Sequence, residues 1–447
     1  MGRQQQSSVV QTVYASEQTI TCSASRNSVQ PDSCWSWVVC LACAVSNIII
    51  CGIIISYGVM FPTLLAEFQQ GKGLTALVGS LAMVGMGIFS TLVAKVYNRI
   101  GPRATVILGV VLCSGALLAT SQGNSIYSIL ITYGVMFGFG SSFIFLTPYL
   151  VLPRYFVKRL SLAVGLVAMG PGGGMFVMSV VMKALLDELD WRRTYMILAG
   201  FVSLSVPLVC TVRRMPPEEE ESKSVKKDAK ERFCESVWSL FSNKRFDIIF
   251  LSMNLYYVVH YIPSVHMVRY CEDLGITATQ ASRLYLYSGL TSMLCRPVVG
   301  WLCDLKHIEA IYIYQVVAGV NGVATLILPL ARRYFHFVLY FIVFGLADGA
   351  IGCSSTIAIL SCFTSKKRSL GFGLAVMVSA SMAAAGPPLA GLMADEMGSY
   401  VPAFYMTGIV ILLGASIIFL APFVNSENQR DINASEELFV VEKCTVV

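Results

Sequence analysis

The sequence has 447 residues, of which 55% are hydrophobic and only 13% are charged. Soluble domains carry about 25% charged residues, so this composition excludes a soluble globular protein and indicates a chain with many membrane-spanning segments. The net charge of +6 does not indicate a nucleic-acid partner, because Lys and Arg punctuate the apolar runs and do not form one basic stripe.

The first 30 residues are polar and lack the apolar core of about 7–15 residues that a secretory signal peptide contains. We therefore expect residues 1–30 to be a cytoplasmic tail without a cleavable signal. The 14 cysteines are scattered through the chain and indicate no disulfide framework. Cys40 and Cys43 form a C-x-x-C pair without a second pair or a nearby histidine, so no metal site is predicted there.

Twelve apolar runs are long enough to cross about 30 Å of hydrocarbon. They lie near residues 35–61, 74–96, 103–122, 126–152, 160–186, 194–212, 247–270, 283–303, 310–331, 336–362, 370–394 and 401–424. The chain is therefore predicted to be an all-α membrane protein of twelve transmembrane helices. Its predicted parts after the first tail are a six-helix bundle at 31–212, a charged cytoplasmic linker at 213–245, a second six-helix bundle at 246–424 and a cytoplasmic tail at 425–447.

The distribution of positive charge sets the orientation of the helices. With the N-terminus inside, the inner loops hold nineteen Lys and Arg residues and the outer loops hold seven. Cytoplasmic loops of membrane proteins carry the excess of Lys and Arg. Both termini are therefore expected in the cytoplasm.

The two halves repeat each other. The stretch KRLSLAVGL at 158–166 recurs as KKRSLGFGL at 366–374, and Asn98 corresponds to Asp304 at nearly the same offset. Because six spans separate the copies, the two halves share one orientation. Parallel repeats of this kind build the two halves of a major facilitator transporter, in which the substrate site lies near the midplane between the halves.

Two opposite charges lie at membrane depth. Arg296 falls within the apolar run near 283–303, and Asp348 falls within the run near 336–362. A charge at the bilayer centre costs about 2.5–3.5 kcal/mol on insertion scales, so it normally faces a partner or a water-filled cavity. The planar guanidinium also suits a carboxylate. We expect Arg296 to receive a substrate carboxylate and Asp348 to hold or release it; the alternative is a purely structural ion pair.

Three residues of the seventh run are expected to line the same cavity. They are His266, Asn254 and Tyr257. His266 would hydrogen-bond the substrate or carry a proton, because histidine titrates near neutral pH; the alternative is a satisfied histidine at a helix interface. His260 has a weaker claim. The four histidines form no catalytic or metal constellation, so neither an enzyme nor a cofactor is predicted.

The stretch from Gly300 to Asp304 reads G-x-x-x-D and resembles the loop motif of major facilitator proteins. Such a motif lets a carboxylate at a helix end pair with Arg across the inner face and hold the inward gate shut. Ordinary inside-positive loop charge is the alternative. The candidate gating residues lie at cytoplasmic helix ends: Asp304, Gly300, Arg99, Arg103, Lys158 and Arg159.

Two signatures resemble those of the monocarboxylate transporter family. The stretch DSCWSW at 32–37 resembles the family's DGGWGW entry signature, with Ser or Cys in place of the glycines. The stretch YFVKR at 155–159, followed by Gly165 and Gly170, resembles the second signature. The likeness covers about residues 31–424 and includes GKGLTALVGS at 71–80. It implies a secondary transporter of the major facilitator fold.

The resemblance also bears on the substrate. Lactate-type members have a Lys in span one and an Asp four residues before the Arg of span eight. Here no Lys or Arg lies between Arg26 and Lys72, and Ser292 occupies the second place. Arg296 with Asp348 is similar to the branch that carries aromatic amino acids and thyroid hormones. The resemblance thus implies facilitated diffusion, or weak proton coupling, of a small monocarboxylate or other carboxylate-bearing solute. A proton-coupled lactate or pyruvate symporter and a non-transporting sensor or scaffold remain alternatives.

The expected partners are a small organic anion or zwitterion, the lipid bilayer and a single-span accessory protein. A PDZ protein is a further candidate, because the tail ends in Thr445-Val446-Val447. The plasma membrane is the expected location.

Overall fold

The computed structural model of the chain describes residues 32–70, 72–206, 237–305, 307–363 and 365–423. The predicted tails at 1–30 and 425–447, with the PDZ ligand, lie outside these residues, as does most of the predicted linker. All regular secondary structure in the described residues is helical. This confirms the prediction of an all-α protein.

Among the described residues, the N-terminal half of the bundle has nine α-helices. They are α1 Cys34–Ile55, α2 Tyr57–Phe68, α3 Lys72–Ile88, α4 Ser90–Ser121, α5 Ile126–Ile129, α6 Gly138–Tyr155, α7 Leu160–Ala168, α8 Gly170–Glu188 and α9 Trp191–Ser203. A π-helical segment, Leu130–Phe137, joins α5 to α6. Helix α4 turns sharply at Gly101, just before Pro102. The φ of Gly101 is 80°, a value that glycine adopts readily and other residues rarely do. Helix α4 therefore contains the end of the second predicted run and the whole of the third.

The described part of the C-terminal half has six α-helices. They are α10 Lys244–Asp273, α11 Ala278–Cys303, α12 Ala310–Ile327, α13 Tyr334–Ser361, α14 Ser365–Met397 and α15 Val401–Ile417. Short 3-10 segments cover Ser239–Ser242, Leu328–Leu330 and Ile418–Phe423.

The outer surface of the bundle suits a bilayer. Nine helices or helix pairs of the described residues are long and apolar enough to cross a membrane. Large apolar side chains remain exposed on them, such as Leu41 at 66%, Val111 at 63% and Phe335 at 70%. Apolar surface of this extent is what hydrocarbon would cover. Helices α3 and α9 are shorter, and α11 carries several polar side chains that the next subsection places at the candidate site.

The two halves meet along two seams. In the α11 seam, α11 packs against α7 and α8, and in the α14 seam, α14 packs against α3 and α4. A Cβ at Gly165 would lie 2.6 Å from the carbonyl oxygen of Arg296, and one at Gly373 would lie 2.9 Å from that of Ser90. Small residues allow such close approach of helices. Both contacts lie towards the end of the bundle where residues 206 and 237 are found, which we call the linker end.

Candidate functional site

Helices α11 and α13 touch through their backbones, and glycines make this contact possible. A Cβ at Gly349 would lie 2.5 Å from the Ser292 carbonyl oxygen, and one at Gly345 would clash with Ser288. Because glycine has no side chain, it allows two helices in a bilayer to pack at short distance. The contact brings Arg296 of α11 beside Asp348 of α13.

Arg296 and Asp348 form a buried ion pair that a serine hydroxyl completes. The Nη2 group of Arg296 donates to Asp348 Oδ2 at 3.0 Å. Ser292 Oγ donates to the same oxygen at 2.6 Å and accepts from Nη2 and Nε of Arg296 at 3.3 and 3.4 Å. The Arg296 side chain is 11% exposed and that of Asp348 is 28% exposed. Pairing and hydrogen bonding together offset the desolvation of the two charges.

His260 holds the second oxygen of the carboxylate. Its Nε2 lies 3.0 Å from Asp348 Oδ1, and its side chain is only 1% exposed. The imidazole stacks between Tyr256 and Phe344, with ring centroids 4.8 and 4.9 Å away. Helix α10 thus supplies the third member of the cluster, although sequence reasoning gave His260 less weight than His266.

Arg296 also reaches across to the N-terminal half. Its Nη1 group donates to the backbone carbonyl of Ala168 at 2.8 Å. Ala168 is the last residue of α7, and α8 begins only at Gly170. Carbonyls at a helix end have no donor within the helix. The interruption between α7 and α8 therefore provides an acceptor that an unbroken helix would not offer.

The other predicted residues of α10 lie in different surroundings. Tyr257 lies close enough to Arg296 and Asp348 to interact electrostatically with both. The Asn254 amide bonds to the Phe250 carbonyl at 2.7 Å and to Ser379 Oγ at 3.3 Å, so it connects α10 to α14.

The structure does not bring His266 to the ion pair. Its Nε2–H donates to the Pro387 carbonyl at 2.9 Å, and its ring stacks on Tyr400. These contacts match the alternative reading of His266 as a satisfied histidine at a helix interface. The signal that favours His260 is position along the helix: like Asp348 in α13, His260 lies near the middle of α10, whereas His266 lies nearer the outer end.

Two further tyrosines were not singled out from the sequence as site residues. Tyr261 interacts electrostatically with both charges, and Tyr149 of α6 interacts with Arg296 from the N-terminal half. Tyr257, Tyr261 and Tyr149 thus bring three tyrosine side chains within electrostatic range of Arg296, one of them from the N-terminal half.

The arrangement can exchange one carboxylate partner for another. A guanidinium has five N–H bonds. Those of Arg296 engage Asp348, Ser292 and the Ala168 carbonyl, and the last of these contacts uses a single N–H of Nη1. Displacing the Ala168 carbonyl would free both N–H bonds of Nη1 for a substrate oxygen. Across the described residues, no group of three or more His, Cys, Asp or Glu side chains could hold a metal ion.

The loop-motif carboxylate binds a helix terminus in the other half. Asp304 Oδ1 and Oδ2 accept from the backbone N–H groups of Ser161 and Leu162 at 2.9 and 3.0 Å. These groups open α7, where the helix dipole favours negative charge. A Cβ at Gly300 would lie 2.5 Å from the Ser161 carbonyl oxygen. The expected Arg partner of the carboxylate is therefore corrected to a backbone partner at this helix end.

The first-half copy of the motif makes the matching contact in the α14 seam. Asn98 Oδ1 accepts from Ser369 Oγ at 2.9 Å, near the start of α14. Arg99 is exposed and Arg103 is half-buried.

The basic pair that follows α6 contributes backbone groups. The N–H groups of Lys158 and Arg159 donate to the Asp32 carboxylate at 3.0 and 3.3 Å, and the side chains of both residues are exposed. This contact connects the two signature stretches within the N-terminal half. It lies within that half and does not bridge the two halves.

Comparison with known proteins places this chain in a protein family. The family model described as Major Facilitator Superfamily matches residues 43–331 and 272–443. Monocarboxylate transporter 4 of Gallus gallus is 27% identical over 398 residues, which are 88% of this chain and 84% of that protein. Monocarboxylate transporter 10 of Rattus norvegicus is 28% identical over 422 residues, which are 90% of this chain and 81% of that protein. These relatives confirm the resemblance that the signatures indicate.

Solved structures agree on the fold. The Escherichia coli fucose:proton symporter FucP has a TM-score of 0.69 at 15% identity, over 87% of this chain and 99% of that one. The human organic anion transporter MFSD10 has a TM-score of 0.70 at 13% identity, over 87% of this chain and all of that one. The chain belongs to the Major Facilitator Superfamily, and it is a multi-pass membrane transporter of a solute and not an enzyme.

Proposed function

We propose that this protein transports small carboxylate-bearing solutes by alternating access, with Arg296 as the group that receives the carboxylate. The observation that carries the proposal is the ion pair with Asp348, whose side chain is 28% exposed in the middle of a helix bundle. Because Asp348 faces α10 and α11, the solvent that reaches it lies inside the bundle. The names of the monocarboxylate transporters to which the chain is similar support the same substrate class.

Asp348 is the substitute partner of Arg296 when no substrate is present. A lone Arg at this depth would be costly, so the site needs a carboxylate in both the empty and the loaded state. In the loaded state the substrate takes the Nη1 side of the guanidinium and Asp348 keeps the Nη2 side. Both carboxylates then bind the one guanidinium, so binding exchanges hydrogen bonds and the loaded site carries one more negative charge than the empty site.

Alternating access is supported by the position of the contacts between the halves. On the α11 seam they run from Asp304 at the linker end to Gly172, where a Cβ would lie 3.1 Å from Met293 Cβ. On the α14 seam they run from Asn98, past the contact of Thr91 Oγ1 with Met377 Sδ at 3.4 Å, to Gly87, where a Cβ would clash with Ala380. The proposed state is therefore closed at the linker end and open to the other side.

Facilitated diffusion, or weak proton coupling, is the proposed mode. Two features favour it over lactate-type proton symport: α1 carries no Lys or Arg, and Ser292 stands four residues before Arg296. Uptake should then change less than about twofold between external pH 7.5 and 6.0. A steep rise of uptake with external acid would favour the proton-coupled symporter.

The deciding experiment measures uptake in oocytes of labelled lactate, pyruvate, aromatic amino acids, iodothyronines and creatine. Arg296→Ala should reduce uptake of the accepted solute at least tenfold, because hydrogen bonds to a charged group contribute about 1.5–3 kcal/mol each. Arg269→Ala is the matched control, since Arg269 is 68% exposed near the outer end of α10.

Uptake by Arg296→Ala at the wild-type level, with equal surface expression, would contradict the receptor role. Absence of uptake for every solute, with normal surface expression, would favour the sensor or scaffold alternative.

The proposed location is the plasma membrane with both termini in the cytoplasm, which puts the linker end inside. The excess of Lys and Arg in the inner loops supports this orientation. Surface biotinylation, together with antibody access to N- and C-terminal epitope tags in intact and permeabilised cells, tests both statements. The same cells, with and without a single-span accessory protein, show whether surface delivery needs that partner.

A further inference from the structure

We propose that His260 is a positioning residue that keeps Asp348 bound to Arg296 through one oxygen only and so reserves the Nη1 group for the substrate. The inference rests on the proposed function and adds a residue that decides how strongly the protein's own carboxylate competes with the solute. The observation behind it is the division of the Asp348 oxygens between two neighbouring helices.

The two oxygens of Asp348 have separate partners. Oδ2 lies 3.0 Å from Arg296 Nη2 and 2.6 Å from Ser292 Oγ, whereas Oδ1 lies 3.0 Å from His260 Nε2. A carboxylate beside a guanidinium favours the bidentate arrangement, in which each oxygen accepts one N–H. Here His260 binds Oδ1, the oxygen that would otherwise complete the bidentate pair with Arg296.

The imidazole is held as a fixed donor. Its ring lies between those of Tyr256 and Phe344, and the interplanar angle with Phe344 is 8°. Nε2 must carry the hydrogen, because Asp348 Oδ1 accepts. Nδ1 is buried and has no hydrogen-bond partner in the described residues. The neutral tautomer with hydrogen on Nε2 fits these surroundings, since a hydrogen on Nδ1 would be buried without an acceptor.

Removal of this donor would change the competition at Arg296. Oδ1 would then be free to turn towards Nη1 and form the bidentate pair with the guanidinium. The substrate would have to break that pair before it could bind. Its apparent affinity would fall, whereas the movement of the halves in the loaded protein would be unaffected.

A matched pair of variants tests the inference in the full chain. His260→Phe keeps an aromatic ring between Tyr256 and Phe344 but removes the donor. His260→Gln places an amide N–H near the position of Nε2. Both are compared with wild type by the concentration dependence of oocyte uptake, normalised to surface expression, for the panel solute whose uptake depends on Arg296.

For His260→Phe we expect a KM about tenfold higher and a Vmax within twofold of wild type. The tenfold rise corresponds to the one additional Asp348–Arg296 hydrogen bond that the substrate would have to break. His260→Gln should keep KM within about threefold of wild type.

The inference is overturned if His260→Phe has the wild-type KM, if it lowers only Vmax or surface expression, or if His260→Gln is as impaired as His260→Phe. Wild-type protein without Arg296-dependent uptake of any carboxylate would overturn the proposed function and this inference together. Arg296-dependent uptake that is insensitive to His260→Phe would overturn this inference alone.

Discussion

At the scale of single residues, the site is defined by how one guanidinium distributes its hydrogen bonds. Arg296 donates to Asp348 and Ser292 within its own half and to the Ala168 carbonyl in the other half. Ser292 is central, because its hydroxyl both accepts from Arg296 and donates to Asp348. In the lactate-type members of the family that the signatures resemble, an Asp is expected at this place. Ser292, by contrast, bridges the two charges with a neutral hydroxyl and adds no third charge.

Replacement of Ser292 by Ala should weaken transport without unfolding the protein. The change removes the hydroxyl that aligns Arg296 with Asp348, and we expect KM to rise about three- to tenfold, in keeping with about 1 kcal/mol for a typical hydrogen bond. Ser288→Ala is the control, because the Ser288 hydroxyl donates to the Tyr285 carbonyl of the same helix. Uptake kinetics of the two variants should differ; equal KM values would argue against a bridging role.

The residues of the ion pair could be predicted from the sequence, but part of their surroundings could not. A charge in an apolar run requires a partner, and that requirement points to Arg296 and Asp348. Position along α10 favours His260 over His266, but the choice also depends on which side of α10 faces α13, and hydropathy does not report that rotation. The Ala168 carbonyl is a backbone group, so side-chain reasoning passes over it.

At the scale of helices, glycine spacing sets the distance between α11 and α13. Gly345 and Gly349 lie one turn apart on α13 and receive the backbone of Ser288 and Ser292. The sequence contains these glycines, and each of the twelve apolar runs coincides at least in part with a helix of the described residues. The sharp turn at Gly101 was not predicted, because it depends on backbone geometry and not on hydropathy.

Addition of one methyl group at Gly349 should therefore separate α11 from α13 at the site. In Gly349→Ala the new Cβ would lie 2.5 Å from the Ser292 carbonyl oxygen, so α11 and α13 must move apart. Overpacking of this kind costs about 1–3 kcal/mol, and we expect uptake to fall at least tenfold. Gly289→Ala on α11 is the control, since a Cβ there meets open space. Normal uptake by Gly349→Ala would show that the close approach is dispensable.

At the scale of the whole molecule, each seam joins a residue at a helix end or a sharp helix turn of one half to the start of a helix in the other. Asp304 binds the first turn of α7, and Asn98 binds Ser369 near the start of α14. The internal repeat predicted that these places would correspond. It did not predict the partners, because the N–H groups of a helix terminus have no signature of their own in the sequence.

Neutralisation of Asp304 should loosen the closed linker end. Asp304→Asn removes the negative charge from the start of α7, where it contributes about 0.3–2 kcal/mol through the helix dipole. Labels at Val157 and Leu305, which are exposed near the linker end on opposite halves, should show a larger population at long distance. Asp187→Asn is the control, because Asp187 pairs with Lys183 within one helix. An unchanged distance distribution in Asp304→Asn would rule out this closing role.

The two seams are alike in geometry, but the contacts of Asp304 and Asn98 differ in charge. Asp304 places a carboxylate on a helix dipole, whereas Asn98 pairs a neutral amide with a hydroxyl. Charge-assisted hydrogen bonds are roughly twice as strong as neutral ones. When the halves rock apart, the α14 seam should therefore separate first, with the α11 seam as the pivot. The solute would leave past α3 and α14, on the side of the bundle away from Arg296.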